Sequence, residues 1–206
     1  MALSTSRPLA AASPAPILCG VSFEATSARL WKRLTPQERL QAASRFWEEP
    51  PQEVLGTALA AIVKARGLRP QVARSLPLEA RARALASVLD PGEPLAASLL
   101  VALHLGERRP LLGAFLDALG LPHDNGILTE EADRLPPPTA DAARQAVGAL
   151  LHSFSVRDVG VYLNTLWLQD PGRWAALEAA FESLAAHADD GSVASPPSSR
   201  DGSRSQ

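Results

Sequence analysis

The side chains with the clearest chemical potential are His104, His123 and Asp124, and His123 and Asp124 are adjacent in the stretch DALGLPHDNGILTEE, residues 117–131. An imidazole beside a carboxylate can ligate a divalent metal, and a metal held this way lowers the pKa of a bound water enough to make it a nucleophile. The Asp-Asn-Gly run also invites a calcium-loop reading. That register fails. With Gly126 at loop position 6, position 1 is Leu121 and position 12 is Ala132, so both obligatory oxygen ligands are missing.

A His-Asp pair in a helical chain resembles the HD-type phosphohydrolases, in which an upstream His, the pair itself and a downstream Asp hold the metal that activates water. Placed residue by residue on this chain, the resemblance implies His104, His123, Asp124 and either Asp158 or Asp170 as ligands. It covers the dipeptide and the fold class. In that family the pair lies on a helix and a Gly-Lys-like element follows, whereas here Pro122 precedes the pair and Asn125-Gly126 follows it. Turn geometry accounts for the same residues without chemistry. Leu116, Leu119, Gly120, Leu121 and Pro122 spell a Schellman-type helix stop, and the residues after it tolerate turn conformations.

The other reactive side chains point away from catalysis. His104 and His152 sit near the ends of amphipathic helical patterns with no second His four residues away, so each reads as a histidine satisfied near a helix C-terminus. His187 falls in the last turn of the final helical pattern and reads as solvated. Cys19 is the only cysteine, which excludes an intramolecular disulfide and any Cys-cluster zinc site. No glycine-rich phosphate loop, dinucleotide fingerprint or nucleophile elbow is present. The chain therefore leans away from enzymatic activity without deciding it, and no bound cofactor is expected.

Contact is the better-supported role. From Lys64 to Arg83 the chain carries Lys64, Arg66, Arg69, Arg74, Arg81 and Arg83 against Glu79 alone. Such a stripe suits an acidic partner, or a solvated helix face balanced elsewhere. Globally, 20 basic residues nearly cancel 22 acidic ones, which argues against a dedicated nucleic-acid binder. No apolar run approaches the roughly 18–20 residues of a membrane-spanning helix.

The elements that position these residues are helical throughout: Ala, Leu, Arg and Glu recur at helical spacings, and β-branched alternation is almost absent. Thr35, Pro36 and Glu38 form a capping box with proline at the first helical position. Gly67 ends the next helix, Thr139 and Ser155 cap two later ones, and Asp170 with Pro171 opens the last. The segment VRDVGVYLNTLWLQDPGRW, residues 156–174, is apolar almost all round, which predicts a central helix. A shift of 40 residues lays Leu55, Leu59, Val63, Arg69 and Pro70 over Leu95, Leu99, Leu103, Arg109 and Pro110, a period close to that of HEAT-type repeats.

The expectation is one all-α domain over residues 23–188, built from about eight helices in antiparallel hairpins and repeat-like in a HEAT-like way. A disordered leader (1–22) and a Ser- and Pro-rich disordered tail (189–206) flank it. Its expected role is cytoplasmic, non-catalytic binding or scaffolding of another protein. A metal-dependent HD-type hydrolase is the alternative, and an Arg-mediated nucleic-acid adaptor is the third reading.

Overall fold

In the computed structural model, residues 24–181 are described, with the backbone pairing of 17–18 against 21–22. The expected tail, His187 and Cys19 lie outside the described residues. The helices are α1 (Ser27–Arg33), α2 (Pro36–Glu48), α3 (Gln52–Arg66), α4 (Pro70–Ser75), α5 (Leu78–Ala86), α6 (Glu93–Leu105), α7 (Arg109–Ala118), α8 (Glu130–Asp133), α9 (Ala140–Leu150) and α10 (Val156–Gln169). Two short antiparallel ladders accompany them, β1 (Ile17–Leu18) with β2 (Val21–Ser22) and β3 (His123–Asp124) with β4 (Ile127–Leu128). The protein is all-α. The first ladder lies inside the stretch read from sequence as a leader, and β2 touches α10.

The cap chemistry behaves as the sequence dictates. The Thr35 hydroxyl accepts from the Glu38 backbone N–H at 3.2 Å, and the Glu38 carboxylate accepts from the Thr35 N–H at 2.6 Å, which closes the box. The Thr139 and Ser155 hydroxyls cap α9 and α10 by accepting from the Ala142 and Asp158 N–H groups, without the reciprocal half of the box, and Gly67 ends α3 at φ 62°. Glu93, at the start of α6, accepts from the backbone N–H groups of Ser27 and Ala28 at 2.6 and 3.0 Å. It thus caps α1 from another helix, and the Trp31 indole N–H bonds Val88 O at 2.7 Å to hold the same helix down.

Two apolar clusters form the core. Trp31, Phe46, Ile62, Leu95 and Leu99 belong to the first, built from α1–α6. Leu111, Phe115, Val147, Leu163 and Trp174 belong to the second, built from α7, α9, α10 and the chain beyond it. Helix α10 is the seam: Val159, Gly160, Val161, Tyr162, Leu163, Asn164 and Thr165 are buried in unbroken succession, with Val161 in the first cluster and Val159, Tyr162 and Leu163 in the second. A helix apolar on every side can only sit between layers.

The 40-residue correspondence, which lays α3 over α6, is accompanied by a second one at 42 residues. Leu34 ends α1 at φ −63°, ψ 146°, and Leu76 ends α4 at φ −61°, ψ 140°. In the helix that follows, an arginine reaches back to that carbonyl each time: Arg39 to Leu34 O at 2.5 Å and Arg81 to Leu76 O at 3.1 Å. The order short helix, extended leucine, longer helix pair therefore occurs twice, as α1–α3 and α4–α6. In place of a third stacked copy, α10 returns to touch α1 and α6.

Three elements exceed the sequence expectation. Helices α4 and α8 are each a few residues long, too short for periodicity to reveal. The corner after α7 is a two-residue hairpin, with Asn125 at φ 48° and Gly126 at φ 83°. Asn-Gly is the pairing a type I′ turn selects, since both central residues need positive φ. At the other end, the Asp170 carboxylate does accept from the Arg173 N–H at 3.0 Å, but residues 171–176 are turns and regular helix begins only at 177.

Candidate functional site

The hairpin holds His123 by both ring nitrogens. The Gly126 backbone N–H donates to Nδ1 at 3.2 Å, so the ring hydrogen is on Nε2, which faces Asp117 Oδ1 at 3.1 Å. Neither nitrogen keeps a lone pair for a metal. Asp124 is exposed and its backbone pairs with Ile127 in the ladder. The downstream acids are engaged too: Asp158 pairs with Arg108 at 2.7 Å, and Asp170 is an N-cap. Among the described residues, no group of three or more His, Cys, Asp or Glu side chains is placed to hold a metal ion.

His104 lies elsewhere, in the last turn of α6, buried against α10. Its Nε2 meets the Thr165 hydroxyl at 3.1 Å, and its ring stands edge-on to Tyr162 with centroids 5.3 Å apart. Nδ1 is buried without a partner among the described residues, so within them this histidine is only half satisfied, unlike the satisfied histidine the sequence predicts. Burial, reinforced by the positive charge of Arg108, lowers its pKa to about 3 although Glu38 pulls the other way. His152 matches the expectation: Nδ1–H donates to Gly148 O at 2.8 Å.

The strongest electrostatic feature was not legible as a site. Glu38, the capping-box residue, receives Arg108 at 2.9 Å from the α6–α7 corner and Arg157 at 2.8 Å from the first turn of α10. Burial opposes its charge, but the bonds from Arg157, the Thr35 N–H and Arg108 outweigh it and hold its pKa at about 2. This triad, with Glu38 buried and both arginines partly buried, joins the two clusters and is structural in its geometry, although Arg108 Nη1 and Arg157 Nε have no partner among the described residues. The only sequence signal was the capping box itself.

The basic stripe divides. Arg81 is half buried, lies 4.9 Å over the Trp47 ring and bonds Leu76 O, so it belongs to the architecture. Arg83 pairs with Glu79 at 3.1 Å on the surface. Lys64, Arg66, Arg69 and Arg74 are exposed and have no ion pair among the described residues. Between them Val72 and Leu78 are 43% and 52% exposed.

Two concavities bear on a possible site. A groove of about 1010 Å³ runs between α2 and the α6–α7 corner. Its lining sets Arg45, Arg108 and Arg109 against Glu48, Glu107 and Asp158, so it selects no sign of charge. A smaller cavity of about 280 Å³ lies under the hairpin. Among the described residues no helix is long and apolar enough to cross a membrane. No protein-family model, curated protein or solved structure matches the chain.

Proposed function

We propose that the protein is a non-catalytic helical module that binds another protein through the surface formed by the end of α3, all of α4 and the start of α5. The observation that carries this reading is the set of four exposed cations, Lys64, Arg66, Arg69 and Arg74, none of them in an ion pair among the described residues. The chain has no Asp or Glu from Val54 to Leu78, so nothing local neutralises them. Val72 and Leu78 add exposed aliphatic contact within the same patch. An acidic polypeptide segment with interspersed aliphatic side chains complements both properties. Single-stranded nucleic acid suits the patch less well, because the exposed large apolar side chains described are Val72, Leu78, Leu89, Ile127 and Leu135, with no aromatic on which a base would stack. A cytoplasmic setting is the companion inference, supported by a sequence with a single cysteine.

The test is fluorescence anisotropy with a labelled synthetic peptide of mixed Glu and Leu, set against the same peptide with Ser for Leu, a single-stranded RNA and anionic vesicles. The Glu/Leu peptide binds in a salt-sensitive manner, and the combined variant K64E, R66E, R69E, R74E weakens it by at least about tenfold without changing thermal stability. Preference for RNA or vesicles, or an affinity indifferent to the charge reversal, overturns the reading.

A further inference from the structure

The α4 surface has a counterpart of opposite sign on the same chain. From Asp117 to Leu135 the sequence carries Asp117, Asp124, Glu130, Glu131 and Asp133, with Arg134 as the only Lys or Arg among them. This mirrors the stretch from Lys64 to Arg83, whose cations face Glu79 alone. Asp117 meets His123. Asp124, Glu130 and Glu131 are exposed, and none of them is in an ion pair among the described residues.

Apolar exposure follows the same division. Of the large aliphatic side chains that stand exposed among the described residues, Val72 and Leu78 belong to the basic surface, while Ile127 and Leu135, 48% and 41% exposed, belong to the acidic one. Ile127 points outward because Leu128, its neighbour in β4, packs against the second cluster, and successive strand residues face opposite ways. Leu135 stands just beyond α8. The basic surface is built on α4 and the helix it packs against, α3, and the acidic one on the hairpin and α8, which packs on β4.

We infer that the partner of the α4 surface is a second copy of this chain, which presents its β3–β4 hairpin and α8. The inference rests on the reading of α4 as a protein-docking surface and names its partner. The four free cations of one copy face the three free carboxylates of the other, and the two aliphatic pairs close on each other. A net charge of −2 leaves little overall repulsion between copies. Because the two surfaces differ, the contact is heterologous: a dimer joined this way keeps one free surface of each sign and can add further copies head to tail.

The experiment uses the full chain in sedimentation velocity across protein concentration and salt, beside anisotropy with the labelled Glu/Leu peptide. The mean mass rises with concentration at low salt and falls back toward the monomer at high salt. The combined variants K64E, R66E, R69E, R74E and D124K, E130K, E131K each weaken self-association by at least about tenfold, and an equimolar mixture of the two associates again. A zero-length carbodiimide cross-link in a mixture of isotope-labelled and unlabelled wild-type protein joins Lys64 of one copy to Asp124, Glu130 or Glu131 of another. This cross-link decides should either variant fail to fold. A wild-type chain that stays monomeric up to about 1 mM overturns the inference. So do variants that associate as the wild type does, or a mixture that stays apart. Peptide binding by a chain that remains monomeric removes the second copy as partner and keeps the α4 reading, whereas loss of both removes the reading itself.

Discussion

Glu38 and Arg157, 119 residues apart in the chain, meet at 2.8 Å, one from the first turn of α2 and the other from the first turn of α10. The contact ties the C-terminal cluster to the N-terminal one, and Arg108 binds the other oxygen of the same carboxylate. Removing one member leaves charge buried without compensation, which is more damaging than never having had the pair.

Glu38→Gln therefore destabilises the fold by about 3 kcal/mol at neutral pH. Urea unfolding at pH 7 measures this. A loss below about 1 kcal/mol, the range of an exposed pair, would show that the triad contributes only as a surface interaction does.

Acid stability has two limbs. His104 is held neutral, its pKa lowered from 6.5 to about 3, so the unfolded chain takes up a proton first and stability falls as pH drops from 6.5 toward 3. Glu38 is held charged, its pKa lowered from 4.5 to about 2, so its contribution is complete above 4.5 and disappears as pH falls through 2. Unfolding free energy against pH declines gently below 6.5 and more steeply below 4.5. In His104→Phe the upper limb is absent; its persistence would assign the uptake to another group.

Two glycines in the same corner respond differently to substitution. A Cβ at Gly126 would lie 2.7 Å from Leu112 Cβ and 3.2 Å from Arg109 O, at φ +83°. At Gly120, φ +66°, it would meet nothing within 4 Å. Gly126→Ala costs about 2–4 kcal/mol, combining overpacking with left-handed strain, whereas Gly120→Ala costs about 1 kcal/mol from strain alone. Thermal denaturation of the two variants compares them directly, and equal losses would mean that the hairpin yields freely.

The basic stripe separates under alanine substitution. Arg81→Ala loses the stacking on Trp47 and the bond to Leu76 O, about 1–2 kcal/mol together. Arg66→Ala, Arg69→Ala and Arg74→Ala each stay within about 0.5 kcal/mol. Chemical denaturation of the four variants checks this, and a stability loss at Arg69 or Arg74 comparable to that at Arg81 would place them in the architecture too.

Local signals were legible wherever the physics is local. The Thr35 box, the Gly67 stop, the Thr139 and Ser155 caps and the all-round apolar α10 follow from neighbours a few residues apart, and each has its expected partner. Helix α4 was invisible because six residues hold less than two turns of periodicity. The hairpin was within reach, since Asn125-Gly126 is a turn-type signal, but with two residues in each strand it has no alternation to announce it.

By itself, the sequence determined an all-α fold, the starts of α2, α9 and α10, the stop of α3 and the burial of α10, because hydrophobic period and cap chemistry act over single turns. Only the tertiary structure decided which charges are spent. It placed Arg108 and Arg157 on Glu38, laid Arg81 on Trp47, and left Lys64, Arg66, Arg69 and Arg74 exposed. It likewise engaged both nitrogens of His123 and left one of His104 bare. These outcomes depend on side chains brought together from distant helices, and a hydrogen bond forms or fails over a few tenths of an ångström that no spacing along the chain encodes.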